Sequence, residues 1–318
     1  MIPIHIGIIG FGRAGQARLK ALNTFENISL RVATQRPEAF GIFAKKHDID
    51  THKVDLTNHW QTLILDSKVQ AVFICSENER HAEQVRFALE HGKHVCVEFP
   101  LCTQHAEAQA LYALAAQKQR ILHMEAIGTL TTKHQELKSL VTAKRMSHLV
   151  FNFTGSLYRW LLDEVHKQHF IELAFGRLYQ CVDLFKNVTV QKARLHKKFS
   201  QVEGRSAFES YTLQLSLHAQ LETSLSTEIT LTEHRQADAK RSSQVQAFSP
   251  KGLIELNSKS PTPLFFKDCQ HFLALILNQH SSQTLKSDSR FIQNYASQET
   301  VLTTFKLIED IKQVLEYS

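Results

Sequence analysis

Apolar positions fall into two regimes along the chain. Over roughly the first 125 residues, apolar runs alternate with helix-forming segments. The runs are Ile4 to Ile9, Ile28 to Ala33, Val69 to Cys75, His94 to Val97 and, shorter, Ile121 to His123. Between them lie Gln16 to Leu22, Pro37 to His47, Trp60 to Leu65, Ala82 to Glu90 and a segment from Thr103 through Lys118. A nearly continuous run such as VQAVFIC suits a strand buried on both faces of a parallel sheet. Thr103 reads as an N-cap and Gly92 as a helix end. The polar stretch between His47 and Trp60 carries no such pattern. The alternation predicts a doubly wound parallel sheet with ligand at the carboxyl ends of its strands.

From about Gly128 the pattern changes. A helix through Lys144 is followed by a strand-like Ser147 to Phe153 and a helical stretch from Leu162 to Phe185. Tyr211-Leu213-Leu215-Leu217 and Leu225-Thr227-Ile229-Leu231 alternate at period two, the signature of half-buried strands. The turn-rich Gln236 to Ser243, a strand from Leu253 to Leu256, and helices Phe266 to Asn278 and Phe291 to Tyr317 complete the chain. The second part is therefore expected to be an α+β domain with a large, mostly antiparallel open sheet and helices on one face. The boundary falls between 1–125 and 126–318, and two domains suit a chain of 318 residues, because single cores stop growing at about 250–300.

Composition narrows the class. An apolar fraction of 43% and a charged fraction of 21% describe an ordinary globular protein. No apolar run approaches the roughly 20 residues a membrane span needs, and the N-terminus lacks a basic n-region, so a cytoplasmic protein is expected. The 5 cysteines are odd in number and show no CxxC spacing, which argues against a disulfide framework and a thiolate metal site; no metal is expected. The net charge of +6 suits an anionic cofactor and substrate. Basic residues are scattered except for Lys192 to Lys198, so nucleic acid is not an expected partner.

One motif carries specific chemistry. Gly10-Phe11-Gly12-Arg13-Ala14-Gly15 joins the first strand to the first helix with the spacing of a dinucleotide-binding turn. Gly10 permits the turn, Gly12 lets backbone approach a pyrophosphate, and Gly15 lets helix and strand approach closely. The helix N-terminus then offers free N–H groups and a positive dipole end to the phosphates. The second strand ends in Thr34-Gln35-Arg36, with no acid to hold a ribose 2′-hydroxyl and an arginine suited to a 2′-phosphate. NADPH is the expected cofactor, with NADH the weaker one. Cys75, Ser76, Glu77, His81, Glu98 and Phe99, at or near the ends of the later strands, complete the expected cofactor site.

These segments together resemble the glucose-fructose oxidoreductase/inositol dehydrogenase superfamily, and within it the biliverdin reductases. The resemblance rests on GFGRAGQAR (10–18), AVFICSENERH (71–81), GKHVCVEFP (92–100) and AAQKQRILHME (115–125). Beyond residue 125 it is fainter, resting on FNFT (151–154), Gly176-Arg177-Leu178 and Phe266-Lys267-Asp268. It implies an N-terminal Rossmann domain, a C-terminal substrate-binding and oligomerisation domain, and a monomer or a dimer formed through the C-terminal sheet. Sugar-oxidising members carry a lysine between Glu98 and Pro100, and an aspartate and a histidine around a helix glycine. This chain has Phe99 in the first place and, with Gly176 aligned to that glycine, Ala174 and Leu178 in the others. A polyol oxidation needs a base for the hydroxyl proton. All three groups that usually serve are missing.

Reduction of biliverdin to bilirubin, which the resemblance implies, makes other demands. Hydride goes to the central methine carbon and a pyrrole nitrogen gains a proton. The resemblance gives Arg177 the catalytic role. With a pKa above about 12, an arginine is a poor proton source, so it would polarise the pyrrole or lactam while a water or a propionate relays the proton. Glu98 would position the cofactor and act secondarily as acid or base. Phe99 stands where animal reductases have tyrosine, which removes a phenolic donor. Glu125 and Arg159 are further substrate-site candidates, the first for a relay water or else a salt bridge at the domain junction, the second for a propionate. Another bilin or a sugar as substrate, or a non-catalytic NADP-binding regulator, are the alternatives.

Overall fold

The computed structural model describes residues 4–157, 170–202, 205–220, 226–256, 263–280 and 295–317. The chain divides into two compact units, Met1–Leu130 with Pro261–Gln298, and Thr131–Ser260 with Glu299–Ser318.

The first unit is the doubly wound fold expected. Its strands are β1 (Ile4–Ile9), β2 (Ile28–Ala33), β3 (Val54–Thr57), β4 (Ala71–Ile74), β5 (His94–Val97) and β6 (Leu122–Met124), ordered 3-2-1-4-5-6. All neighbours pair in parallel. Helices α1 (Arg13–Leu22), α2 (Pro37–Lys46), α3 (Trp60–Leu65), α4 (Asn78–Glu90) and α5 (His105–Gln117) are the crossovers. Every residue of β4 and β5 is buried, as continuous apolar runs require. Two details differ from expectation. β3 lies in the stretch without periodic pattern, because its residues 55 and 56 face solvent at the sheet edge. The N-cap of α5 is Gln104, not Thr103, and its side chain makes no capping hydrogen bond.

The unit also takes in α8 (Leu264–His280), which sequence order alone would leave in the second domain at 126–318. The reason is apolar contact. Phe272 meets Phe73 of β4 at 5.2 Å, Phe266 stacks on Phe25 at 5.1 Å, and Cys269 and Phe272 are fully buried in the same core.

The second unit holds a seven-stranded mixed sheet. Its strands are β7 (His148–Ser156), β8 (Val188–Val202), β9 (Arg205–Gln220), β10 (Ser226–Gln236), β11 (Ser242–Ser249), β12 (Gly252–Ile254) and β13 (Leu315–Tyr317), ordered 12-11-7-10-9-8-13. Pairing is antiparallel except for β10 with β7 and β13 with β8. Burial alternates along β7 and β10, so Leu149, Phe151, Ile229 and Leu231 lie on the inner face with Leu213, Leu215 and Leu217. Helices α6 (Thr132–Thr142), α7 (Phe175–Phe185) and α9 (Gln298–Gln313) complete the unit, and Phe175 of α7 meets Phe305 of α9 at 4.9 Å. The last helix stops short of the expected Tyr317, because Leu315 to Tyr317 pair with Ala193 to Leu195 as an edge strand. Of the helical stretch expected from Leu162 to Phe185, the described part holds an α-helix over Phe175–Phe185, and 162–169 lie outside the described residues. β8, hidden in sequence by the basic run from Lys192 to Lys198, and β11, read partly as turn, are strands. No described helix is long and apolar enough to cross a membrane.

Candidate active site

The glycine turn has the geometry its residues suggested. Gly10 adopts φ +90°, and a Cβ on it would come within 2.6 Å of the Cys75 carbonyl oxygen. A Cβ on Gly15 would lie 2.1 Å from the Gly10 oxygen, whereas one on Gly12 would meet nothing within 4 Å. The turn is thus closed behind and open at Gly12. Gly12 is the N-cap of α1 and has no side chain to satisfy the first amides, and Gln16 N–H is the first to reach back, to Gly12 O at 3.0 Å. The amides of Arg13, Ala14 and Gly15 are left for a ligand, and this cradle fits a pyrophosphate.

Arg36 is oriented toward the same turn. Its backbone N–H donates to Thr34 Oγ1 at 3.0 Å and its Nη2 donates to Phe11 O at 3.3 Å, while Gln35 Nε2 donates to Asn58 O. Phe11 itself is buried against Phe40 and Phe43, so only its backbone faces the turn. Arg13 and Arg36 are both exposed. Two exposed arginines thus lie at or next to the anion cradle.

Cys75 is buried at the end of β4, and burial holds its thiol well above the usual range. Ser76 Oγ donates to Gln84 Oε1 at 2.6 Å, and Glu77 is exposed. His81 is fully buried, its ring nitrogens 2.8 Å from Pro100 O and 3.1 Å from Ser76 O, and burial lowers its pKa. It ties the loops after β4 and β5 together from beneath. Any help it gives a cofactor runs through Ser76 and Pro100.

The largest electrostatic feature of this unit was not among the sequence candidates. Arg18 on α1 is fully buried, its guanidinium 5.2 Å from the Phe73 ring and 4.8 Å from that of Phe265. Its Nε donates to Glu98 Oε1 at 2.9 Å, and Nη1 pairs with Asp268 Oδ2. Asp268, also fully buried, accepts from Tyr295 Oη and lies 2.8 Å from His123 Nε2. Burial pushes the Asp268 carboxyl up, but Arg18 and His123 outweigh it and hold the pKa well below the carboxylate range. Glu98 is raised by burial against the pull of Arg18. Glu125 follows β6 and is almost completely buried, with Oε1 accepting from Ile127 N–H and Oε2 without a partner among the described residues. Burial, with Glu98 and Asp268 nearby, raises its pKa well above the usual value. Ligand atoms of Cys96, His123 and Asp268 lie within 4.8 Å of one another, but the Arg18 cation already sits on the same carboxylate and opposes a metal ion there. Phe99, next to Glu98, is 37% exposed.

In the second unit, Arg177 lies on the first turn of α7. Its Nη2 donates to Leu173 O at 3.0 Å and to Glu233 Oε2, and its guanidinium carbon is 4.1 Å from the Phe153 ring centroid. Glu233, fully buried on β10, also accepts from Arg235 Nε at 2.6 Å and Tyr211 Oη at 3.4 Å. Ala174 and Leu178, on either side of Gly176, are fully buried and apolar. Arg159 lies outside the described residues. Arg18, Asp268 and Glu233 escaped the sequence reading. The signal for Glu233 was present, since the alternation Thr227-Ile229-Leu231 carries on to Glu233 and Arg235 on the same face.

Residues 4–126 match the sequence model of the GFO/IDH/MocA oxidoreductase family, NAD-binding Rossmann fold. The chain is 26% identical over 295 residues to biliverdin reductase A of Mus musculus, covering 90% of each. It is 24% identical over 338 residues to scyllo-inositol 2-dehydrogenase (NADP(+)) of Bacillus subtilis (strain 168), covering 98% of this chain and 96% of the relative. Among solved structures, biliverdin reductase from Synechocystis sp. PCC 6803 in complex with biliverdin and NADP+ gives a TM-score of 0.75 at 20% identity over 98% of this chain and 99% of that one. At that identity the likeness is one of fold.

Proposed function

We propose that this chain, whose residues 4–126 match the GFO/IDH/MocA oxidoreductase family, NAD-binding Rossmann fold, reduces biliverdin to bilirubin with NADPH. One observation carries the substrate. The segment that should hold the acid and base of a polyol dehydrogenase holds instead an arginine anchored by Glu233, flanked by the buried apolar Ala174 and Leu178. A paired cation in place of that acid and base suits an anionic, electron-poor acceptor. It does not suit an alcohol that must lose a proton.

The preference for NADPH is supported by Arg36, directed to the glycine turn by Phe11 O, and by the lack of an acid at the end of β2. Bound at that turn, the reduced dinucleotide supplies the hydride. Glu98, held by Arg18, keeps a fixed carboxyl at the end of β5, where it positions the cofactor. Arg177 hydrogen-bonds the pyrrole or lactam whose nitrogen gains the proton. A water or a substrate propionate delivers that proton.

An absorbance scan of the protein with biliverdin IXα and either NADPH or NADH tests the proposal. Loss of the long-wavelength biliverdin band with growth of the bilirubin band, faster with NADPH, is the expected result. Biliverdin left intact while scyllo-inositol is oxidised with NADP+ would replace it. The variant Arg177→Ala should lose turnover far more than NADPH binding; equal losses would remove Arg177 from catalysis.

A further inference from the structure

A second cation near Arg177 has no role in the activity above. Phe153 lies on the inner face of β7, and its ring folds along the strand over Gly155, where a Cβ would come within 2.8 Å of the ring. Around this ring stand Arg177, Arg235 and Arg241, their guanidinium carbons 4.1, 4.9 and 5.8 Å from its centroid. The ring orders the guanidiniums through cation–π attraction. Glu233 is shared between Arg177 and Arg235. Arg241, in the turn between β10 and β11, is exposed and has no carboxylate partner among the described residues. Among the described residues, Arg177 uses Nη2 for both Leu173 O and Glu233 and has no partner for Nη1. Its Nε is buried without a partner among the described residues. Two ordered guanidinium groups on one ring, each with unused donors, is an arrangement that planar carboxylates satisfy.

We infer that Arg241, together with Nη1 of Arg177, forms a carboxylate-binding subsite that takes a carboxylate side chain of the substrate. The inference rests on the proposed reduction of a tetrapyrrole bearing two propionates and names the part of the protein that recognises one of them. Arg241 is a specificity residue here. It holds the carboxylate while Arg177 also serves the reacting ring.

Equilibrium titration of the protein, without dinucleotide, with biliverdin IXα and with its dimethyl ester tests this separately from turnover. The free acid should bind about tenfold more tightly than the ester, as a charge-assisted hydrogen bond provides. Arg241→Gln should abolish most of that difference by weakening the acid and leaving the ester unchanged, and Arg241→Lys should restore only part of it, because a point charge replaces a fork. In turnover, Arg241→Gln should raise KM for biliverdin and leave kcat in place. Equal weakening of acid and ester, no weakening of either, or no binding of the acid by the wild type would overturn the subsite. Reduction of biliverdin that proceeds with an unchanged KM in Arg241→Gln would refute the subsite and leave the reaction standing. Arg241-dependent binding without reduction by NADPH would refute the reaction and keep the subsite.

Discussion

Replacing Arg18 by Met removes a buried cation and keeps most of its apolar stem. Arg18 and Asp268 both have 0% exposure, and Arg18 also holds Glu98, so two carboxylates lose their counter-charge in one step. Breaking a buried pair by deleting one partner costs about 3–5 kcal/mol, since the remaining charge stays desolvated. The lost stacking between Phe73 and Phe265 adds up to about 1 kcal/mol each. With m near 2 kcal/mol/M in urea, the midpoint for the first unit should fall by about 1.5–3.5 M. Trp60 is one of 2 tryptophans and lies in that unit, so a Trp160→Phe background makes its fluorescence the local probe. Asp268→Asn should cost a comparable amount, and the double variant should cost about 2–3 kcal/mol less than the sum. A coupling below about 0.5 kcal/mol would show that the two residues do not stabilise the unit as a pair.

Three further outcomes follow from the same geometry. Glu125 has a folded pKa raised by burial above its unfolded value, so the stability it contributes is complete below about pH 4.3 and is lost as pH rises through the folded value. Glu125→Gln should therefore have a Tm advantage over the wild type that is absent at pH 4 and widens toward pH 8; a constant gap refutes the assignment. Burial, with His123 nearby, pushes His271 down to about 4, so its stability is present above about 6.5 and fades as pH falls toward 4, by up to about 3 kcal/mol. Urea midpoints of His271→Gln at pH 4.5 and 7 should differ less than those of the wild type. Arg36→Ala should raise KM for NADPH roughly ten- to a hundredfold and leave NADH nearly unaffected, as loss of a charge-assisted hydrogen bond predicts; an unchanged ratio discards the 2′-phosphate role.

What sequence revealed and what it hid differ for a physical reason. The β1–turn–α1 motif, the buried runs of β4 and β5 and the alternation of β9 and β10 are local patterns. Each is written within a few residues. Arg18 is not local. On a helix it reads as a solvated charge, and only the arrival of Asp268, 250 positions later, makes its burial tolerable. The same distance hides the place of α8 in the first unit. β8 was masked differently, because its exposed face carries Lys192, Arg194, His196 and Lys198 while Ala193 and Leu195 face inward. A basic cluster and a strand were the same residues. Glu233 and Arg235 were visible as positions of a periodic strand, but an apolar-in rule misassigns charges that satisfy one another.

The first unit is discontinuous in the chain, and this orders its assembly during synthesis. A ribosome that has released residues 1–130 has exported the whole six-stranded sheet and Arg18, but not Asp268, Phe272 or Tyr295. Until α8 emerges, the Arg18 guanidinium has only Glu98 for a partner, and the apolar surface that Phe272 covers on Phe73 stays open. The nascent sheet then lacks this cover until about 140 more residues have been translated. A fragment cut at residue 130 would keep every glycine of the dinucleotide turn and still lack the charge that closes its core.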